Sequence, residues 1–159
     1  MWEHAAFSED YAFLDDRDDE ILQMLTVNVG ATVLLLKRLL PRMLGGRKPQ
    51  VILTGSTSAL PHCGRPEVTF GATKSALNGI ADALREGFRA RRLAVSCLQL
   101  GYLNTDDGLD SSLSRAVERG GDRKIPVHDV VALVRAMMAL SDASFVREVV
   151  LPALLDERF

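Results

Sequence analysis

Short apolar runs alternate with helical patterns from residue 50 onward, and this alternation restricts the fold more than any other feature. The apolar runs are residues 50–56, 93–100 and 146–151. Between them, apolar residues recur every three or four positions over residues 70–91 and again over residues 129–140. Strands this apolar can be buried on both faces, so the order strand, helix, strand, helix, strand predicts a parallel α/β sheet with right-handed crossovers.

A long helix is predicted to precede the first strand. From Asp18 to Leu44 the apolar positions have a helical spacing, with acidic residues at the start and basic residues near the end, as the helix dipole favours. We expect a bend near Pro41, because proline lacks the amide N–H that a helix interior needs. The first seventeen residues have no clear periodicity and are predicted to be an irregular arm.

Two capping residues are predicted in the second half of the chain. Ser111 or Ser112 is the candidate cap of a short helix that ends near Arg119, before a pair of glycines. Asp129 is the candidate cap of the helix that reaches about Leu140.

Composition narrows the class of protein. With 159 residues, 47% hydrophobic, the chain can build one core, and its net charge of −2 gives no electrostatic footprint for nucleic acid. Cys63 and Cys97 have no paired spacing and no secretory segment is recognised, so we expect free thiols and a cytoplasmic location. No run approaches the roughly 18 apolar residues of a membrane span. No cluster of residues points to a metal site.

Phe70 and Lys74 are the pair of residues that says most about a possible acid/base site. A side chain four residues after an aromatic ring lies on the same helix face, roughly 6 Å away. An ammonium group at that distance would lower the pKa of a tyrosine. The ring here belongs to phenylalanine, which has no proton to donate.

This run resembles the Tyr-x-x-x-Lys signature of the short-chain dehydrogenase/reductase family, and further matches stand upstream of it. Val51-Ile52-Leu53-Thr54-Gly55-Ser56 resembles the central strand that leads to the family's catalytic serine. Ser56 is the best match, although it lies fourteen residues before Phe70, one more than the usual spacing, so Thr57 is kept as the alternative. Asn28 is similar to the asparagine that holds a water near the lysine in this family.

A third match follows the second predicted strand. Leu100-Gly101-Tyr102-Leu103-Asn104-Thr105 resembles the family's Pro-Gly-x-x-x-Thr loop, which grips the nicotinamide carboxamide. Leu100 replaces the proline, whereas Gly101 and Thr105 remain. The resemblance therefore implies cofactor contacts at Lys74, Gly101, Leu103 and Thr105.

The resemblance extends over nearly the whole chain, yet it includes only the second half of the family's fold. The twelve glycines contain no G-x-G, so the phosphate-binding loop of the first half is missing. We predict that residues 1–159 form a single domain, the second half of a Rossmann-like dinucleotide-binding domain without its glycine-rich first half. Its fold would be the C-terminal part of a doubly wound parallel sheet in three α/β/α layers.

The implied activity is hydride transfer between NAD or NADP and a small alcohol or carbonyl compound. Lys74 would hold the nicotinamide ribose, Ser56 would donate a hydrogen bond to the carbonyl oxygen, and Asn28 would anchor a relay water. The residue at position 70 would be the general acid. Losing such an acid typically lowers the rate by about 10²- to 10⁴-fold, so Phe70 predicts an impaired enzyme. Without the phosphate loop, cofactor binding by this chain alone is doubtful.

Three hypotheses remain open on the sequence. The chain is the second half of a working oxidoreductase that carries a Tyr→Phe change, a degenerate relative that serves as a binding or structural subunit, or an enzyme completed by a partner that supplies the phosphate loop. Family resemblance also implies a homo-oligomer formed through the two long helices. The substrate cannot be predicted, because residues 106–121, which shape the pocket in this family, have only a polar, flexible composition. The choice between NAD and NADP cannot be predicted either, because in this family it is made by residues after the second strand, in the missing first half.

Overall fold

The computed structural model describes residues 13–63 and 66–156, and its regular elements alternate as the sequence predicts. In chain order they are α1 Asp18–Leu25, α2 Ala31–Met43, β1 Gln50–Thr54, α3 Val68–Gly87, β2 Ala94–Leu100, β3 Leu103–Asn104, α4 Leu113–Gly120, β4 Ile125–Pro126, α5 Val127–Met138 and β5 Glu148–Leu151. Short 3₁₀ turns lie at Phe13–Asp15, Thr57–Ala59 and Arg89–Arg91. Most of the predicted irregular arm lies outside the described residues.

The main sheet is parallel and has the order β1–β2–β5. Gln50 is opposite Ala94 in the β1–β2 ladder, and Cys97 is opposite Glu148 in the β2–β5 ladder. A helix connects each pair of neighbouring strands, because two parallel strands cannot be joined by a tight turn. The predicted parallel α/β fold is confirmed. Within the described residues β1 has a single neighbouring strand, so it is an edge of this sheet.

Alternating side chains of the strands build two apolar layers. Val95 and Cys97 point to one face, where they pack with residues of α2 and α3 such as Leu40 and Leu77. Leu98 and Leu100 point to the other face, where Met137 of α5 is buried against them. Helices therefore cover both faces of the sheet. This confirms the predicted three-layer α/β/α arrangement.

A π-turn interrupts the first long helix. α1 and α2 are joined by the π-helical segment Thr26–Gly30, and the whole helix runs from Asp18 to Met43. The departure from α-helical geometry therefore lies around Asn28 and not at the expected position, since Pro41 remains within α2. Single π-turns inside α-helices are frequently found at functional sites.

The helix Asp18–Met43 carries most of its apolar side chains outward. Its exposed apolar residues are Leu22, Leu25, Val27, Val33, Leu34, Leu35 and Leu39. Although no long uninterrupted apolar run occurs, this helix is long and apolar enough by composition to cross a membrane, with a mean hydropathy of 1.3 over its most apolar stretch. That is weak evidence, because core helices of soluble proteins and signal sequences share these properties.

Several predicted boundaries shift by a few residues. β1 ends at Thr54 and not at residue 56, and α3 begins at Val68 and not at Phe70. α3 also ends earlier than predicted, at Gly87, and Arg92 then adopts a left-handed backbone with φ 58° that leads into β2. A periodicity of apolar residues does not reveal such a reversal.

One of the predicted caps is confirmed and one is wrong. Ser112 caps α4, since its hydroxyl oxygen accepts a hydrogen bond from the amide of Arg115 at 3.3 Å. Asp129 lies inside the first turn of α5, whose cap position is Pro126. The second sheet, in which β3 and β4 pair in parallel, was not predicted, because two-residue strands have no measurable periodicity.

Candidate active site

The candidate site lies at the carboxyl ends of β1 and β2. Ser56 follows β1, Gly101 follows β2, and the first turns of α3 carry Phe70 and Lys74. In open parallel sheets the crevice outside the carboxyl ends of the strands is the usual place for a ligand.

Lys74 connects α3 to the end of the first strand. Its Nζ donates a hydrogen bond to the carbonyl oxygen of Thr54 at 3.0 Å and lies 5.4 Å from the centroid of the Phe70 ring. The ammonium group is half-buried, and burial lowers the pKa of Lys74 because it disfavours the charged form. The favourable contact with the ring face partly offsets this loss of hydration.

Asn28 reaches the same turn of α3 from the neighbouring helix. Its Nδ2 donates to the hydroxyl of Thr73 at 3.1 Å, and that hydroxyl donates to the carbonyl oxygen of Phe70 at 2.8 Å. The π-turn thus directs Asn28 to the residue beside Lys74. Thr73 is fully buried, and its role was missed because a threonine in the middle of a helix gives no signal in the sequence.

Ser56 leaves the sheet in an extended conformation and caps the turn Thr57–Ala59. Its Oγ accepts hydrogen bonds from the amide of Ser58 at 3.2 Å and from the hydroxyl of Ser58 at 2.8 Å. The proton of the Ser56 hydroxyl is therefore available for another acceptor. Ser56 retains 8% exposure, whereas Thr57 has none, so Ser56 is the better of the two candidates.

Gln99 holds the backbone at Ser56, and sequence reasoning missed it. Its Oε1 accepts a hydrogen bond from the amide of Ser56 at 3.1 Å. Its Nε2 donates to Asn78 Oδ1 and to Glu148 Oε1, both at 2.8 Å. With both N–H groups directed at oxygen acceptors, the amide has only one orientation. The available signal was a glutamine in an otherwise largely apolar strand, whose side chain is completely buried.

Gly55 is required by the same arrangement. A Cβ at this position would lie 2.3 Å from Gln99 Oε1 and 3.2 Å from the carbonyl oxygen of Leu98. No larger residue fits while Gln99 keeps its position. Gly55 and Gln99 therefore depend on each other.

The loop after β2 is held by packing. The amide of Gly101 donates to Leu151 at 2.9 Å, and a Cβ at Gly101 would lie 3.2 Å from Pro152 Cα. Leu103 pairs with Ile125 in the small sheet, whereas the side chain of Thr105 is exposed. The structure thus places Lys74 against the ring of Phe70 and links Asn28 to this turn through Thr73, but no described contact connects Thr105 to them.

Asp107 anchors the segment that follows Thr105. The buried carboxylate accepts hydrogen bonds from Asn104, Ser111 and Arg119 at 3.2, 3.3 and 3.1 Å. Burial opposes its ionisation, but the hydrogen bond from Asn104 and the charge of Arg119 outweigh burial, so the pKa of Asp107 lies below its ordinary value. The polar composition of residues 106–121 therefore conceals an ordered segment.

The chain belongs to the short chain dehydrogenase family, whose model matches residues 1–113. The matched part contains every candidate site residue named above. The family comprises oxidoreductases that use nicotinamide cofactors. No curated relative matches the sequence at a significant level.

Solved structures with the same fold include several dehydrogenases and reductases. An alcohol dehydrogenase from the archaeon Thermococcus sibiricus, complexed with 5-hydroxy-NADP, is similar with a TM-score of 0.72 and 17% identity, over 89% of this chain and 57% of its own. A metagenomic short-chain oxidoreductase in complex with NADP has a TM-score of 0.65 and 22% identity, over 89% and 55% of the two chains. A beta-ketoacyl-[ACP] reductase from Bacteroides thetaiotaomicron has a TM-score of 0.64 and 20% identity, over 91% and 59%.

This protein therefore spans little more than half the length of those structures, and its residues fit only part of a nicotinamide dinucleotide. Lys74 and the loop after β2 stand at the strand ends where a ribose and a nicotinamide would lie. No G-x-G occurs in the sequence, so these residues contain no glycine-rich cradle for the pyrophosphate. The fit is to the nicotinamide end alone.

Proposed function

We propose that this chain contributes the catalytic half of an NAD(P)-dependent oxidoreductase that interconverts a small alcohol and a carbonyl compound. The observation that carries the proposal is the half-buried Lys74, which lies against the end of β1 and 5.4 Å from the ring at position 70. Lysine side chains are mostly exposed, so a lysine that is half withdrawn from water is unusual. A nicotinamide cofactor, when bound, supplies or accepts the hydride.

Each residue of the site has a role that its contacts support. Ser56 donates a hydrogen bond from its hydroxyl to the substrate oxygen, and Gln99 holds the backbone from which that hydroxyl projects. Lys74 binds the nicotinamide ribose hydroxyls and supplies positive charge. Asn28 orients the turn that carries Lys74 and anchors a relay water. Gly101, Leu103 and Thr105 belong to the loop that contacts the nicotinamide.

Phe70 makes this activity weak in the chain as it stands. A phenyl ring has neither a proton to donate nor an oxygen that can be ionised beside Lys74. The binding functions of Lys74 and Ser56 do not depend on that proton. We therefore propose a site that binds better than it catalyses.

Cofactor binding tests the proposal. NADH or NADPH fluorescence would be titrated with the wild-type chain, with Lys74→Met, and with Lys37→Met as a control that removes an exposed lysine of α2. We expect saturable binding that Lys74→Met weakens by about tenfold, the loss expected for one charged hydrogen bond. Absence of binding, or equal losses in the two variants, would contradict the proposal.

A second candidate function is that of a binding or structural subunit. It is favoured by the unpaired edge of β1 and by the exposed apolar side chains of the helix Asp18–Met43. Exposed strand edges and large apolar surfaces both promote association with another chain. In either function we propose a homo-oligomer formed through this helix and α3, in a cytoplasmic protein.

Sedimentation velocity would test the association. Leu35→Glu places a charge on the exposed apolar face of α2, and Arg38→Glu changes charge on the same helix without removing an apolar contact. We expect Leu35→Glu alone to shift the protein to a smaller species. A wild-type chain that sediments as a monomer at all concentrations would exclude the homo-oligomer.

A further inference from the structure

A cavity of about 600 Å³ lies at the opposite end of the strands from Ser56 and Lys74. Its walls come from α3, from the start of β2 and from the segment that enters β5. β2 has seven residues, so at about 3.3 Å per residue the two sites are roughly 20 Å apart. This volume is within the range of small-molecule sites, about 300–1,000 Å³.

Positive charge dominates this cavity. The cationic residues that line it are Lys48, Arg85, Arg89, Arg92 and Arg147. The carboxylates that line it are Asp82, Glu86 and Asp142, so cations exceed carboxylates by two. Asp82 is shared between Arg85 at 2.6 Å and Arg147 at 2.9 Å, which leaves this pair of guanidinium groups only half neutralised.

Lys48 and Arg92 carry the uncompensated charge. Lys48 donates to the carbonyl oxygen of Leu140, and Arg92 donates to the carbonyl oxygen of Asp142 at 2.9 Å. Neither forms an ion pair with a carboxylate among the described residues. The carboxylate of Asp142 is paired with Arg47, which lies outside the cavity, at 3.7 Å. Two cations of the lining thus bind carbonyl oxygens of residues 140–142, and no carboxylate of the described residues forms an ion pair with either of them.

The backbone of Arg92 is strained in a way that favours a role for its side chain. Its φ of 58° lies in the left-handed region, where glycine or asparagine is the usual residue. Holding a residue in such a conformation costs about 1–3 kcal/mol, and strain of this kind clusters at functional sites. Leu93 and Phe145 provide apolar surface beside the cations.

We propose that this cavity binds a multiply charged oxyanion, the phosphate or pyrophosphate group of a small molecule. Lys48 and Arg92 make the charge-assisted hydrogen bonds, and Arg147 contributes further positive charge. The planar guanidinium group of Arg92 suits a phosphate because it can donate two parallel hydrogen bonds. Leu93 and Phe145 contact the less polar part of the molecule. The site is independent of the proposed oxidoreductase function.

Inorganic pyrophosphate is the probe for this proposal. Its binding to the full chain would be measured by calorimetry at constant ionic strength, with sodium chloride as the reference salt. We expect saturable binding by the wild type and about a tenfold weaker affinity for Arg92→Gly and for Lys48→Met, the loss of one charged hydrogen bond each. Arg92→Gly keeps the left-handed backbone, so it is expected to fold.

Two controls decide the location of the site. Arg38→Gln and Lys37→Met each remove one exposed positive charge on α2, and both should bind pyrophosphate as the wild type does. If pyrophosphate does not bind saturably, the proposal is overturned. That result is expected if the cavity instead binds an acidic protein partner. An equal loss of affinity in Arg38→Gln and Arg92→Gly would also overturn the proposal.

Discussion

The two ends of the parallel strands use different kinds of polar interaction. At the carboxyl ends, Ser56 and Gln99 are buried and are held by short hydrogen bonds, most of them between neutral groups. At the amino ends, Arg85, Arg92 and Arg147 lie in an open cavity and are held by carboxylates and carbonyl oxygens. The first arrangement gives rigid geometry, and the second gives a positive field.

The two kinds of interaction suit the two ends of the strands to different functions. A catalytic group must be held within a fraction of an ångström, which buried and fully satisfied hydrogen bonds achieve. An anion is attracted over a longer distance, and exposed cations suffice for that. The proposed catalytic site and the proposed anion site therefore lie at opposite ends of β2.

The largest effect is expected at position 70. Phe70→Tyr restores a proton donor beside Lys74, and a positioned general acid contributes about 10²- to 10⁴-fold in rate. We expect Phe70→Tyr to reduce carbonyl compounds measurably faster than the wild type when NADH or NADPH absorbance is followed. Phe70→Leu is the control, since it changes the ring without adding a proton. Equal rates for the Phe70→Tyr and Phe70→Leu variants would show that the site at the carboxyl ends of the strands is not catalytic.

The next effect concerns the buried pair at the carboxyl ends. Gly55→Ala or Gln99→Ala should each lower the free energy of unfolding by about 1–3 kcal/mol, the first by overpacking and the second by leaving the Ser56 amide unsatisfied. In the double variant the main clash is gone. Its loss of stability should therefore be about 1 kcal/mol smaller than the sum of the two single losses. Urea unfolding of all four proteins measures this coupling. Additive losses would mean that the contact between these residues is not important.

A smaller effect, which depends on pH, is expected at Asp107. The pKa of Asp107 is lower in the folded state than in the unfolded state, where it is near 3.8. Ionisation of Asp107 therefore stabilises the fold at pH values above the unfolded pKa. This stabilisation is lost as the pH falls through the lower pKa of the folded state. Asp107→Asn should therefore be less stable than the wild type between about pH 5 and 8. The gap should narrow toward pH 3. A gap that is independent of pH would contradict the role of the charge.

The smallest effect is expected at the amino ends. Asp82→Asn removes the ion pairs of Asp82 with Arg85 and Arg147. The side chains of Asp82 and Arg147 are largely exposed. Such pairs are worth at most about 1 kcal/mol, and salt screens them. We expect a small loss of stability at low salt that vanishes at high salt, measured by thermal unfolding. A large loss that persists in salt would remove the contrast between the two ends.

Much of the fold could be predicted because strands and helices have different periods. The apolar runs that became β1, β2 and β5, and the spacing that became α3 and α5, are local patterns that any reader of the sequence can recognise. Ser112 was one of the two serines predicted as a cap for the same local reason. Asp129 was misassigned, because the last residue with an extended backbone before the helix is Pro126, three positions earlier.

The site residues divide in the same way. Asn28, Ser56, Phe70 and Lys74 were predicted from their order and spacing along the chain, and their catalytic roles stay predictions. Gln99 was missed, because its partners Asn78 and Glu148 lie 21 and 49 residues away.

The sequence alone determined the class of this protein, a parallel α/β chain of the short chain dehydrogenase family with phenylalanine at the position of the acid. Only the tertiary structure decided that a π-turn directs Asn28 to α3, that Gln99 binds the amide of Ser56 beside Gly55, and that cations line a cavity at the far end of the strands. The physical reason is distance. Periodicity and capping act between residues a few positions apart, whereas Lys48, Arg92 and Arg147 line one cavity only after folding brings separate segments together.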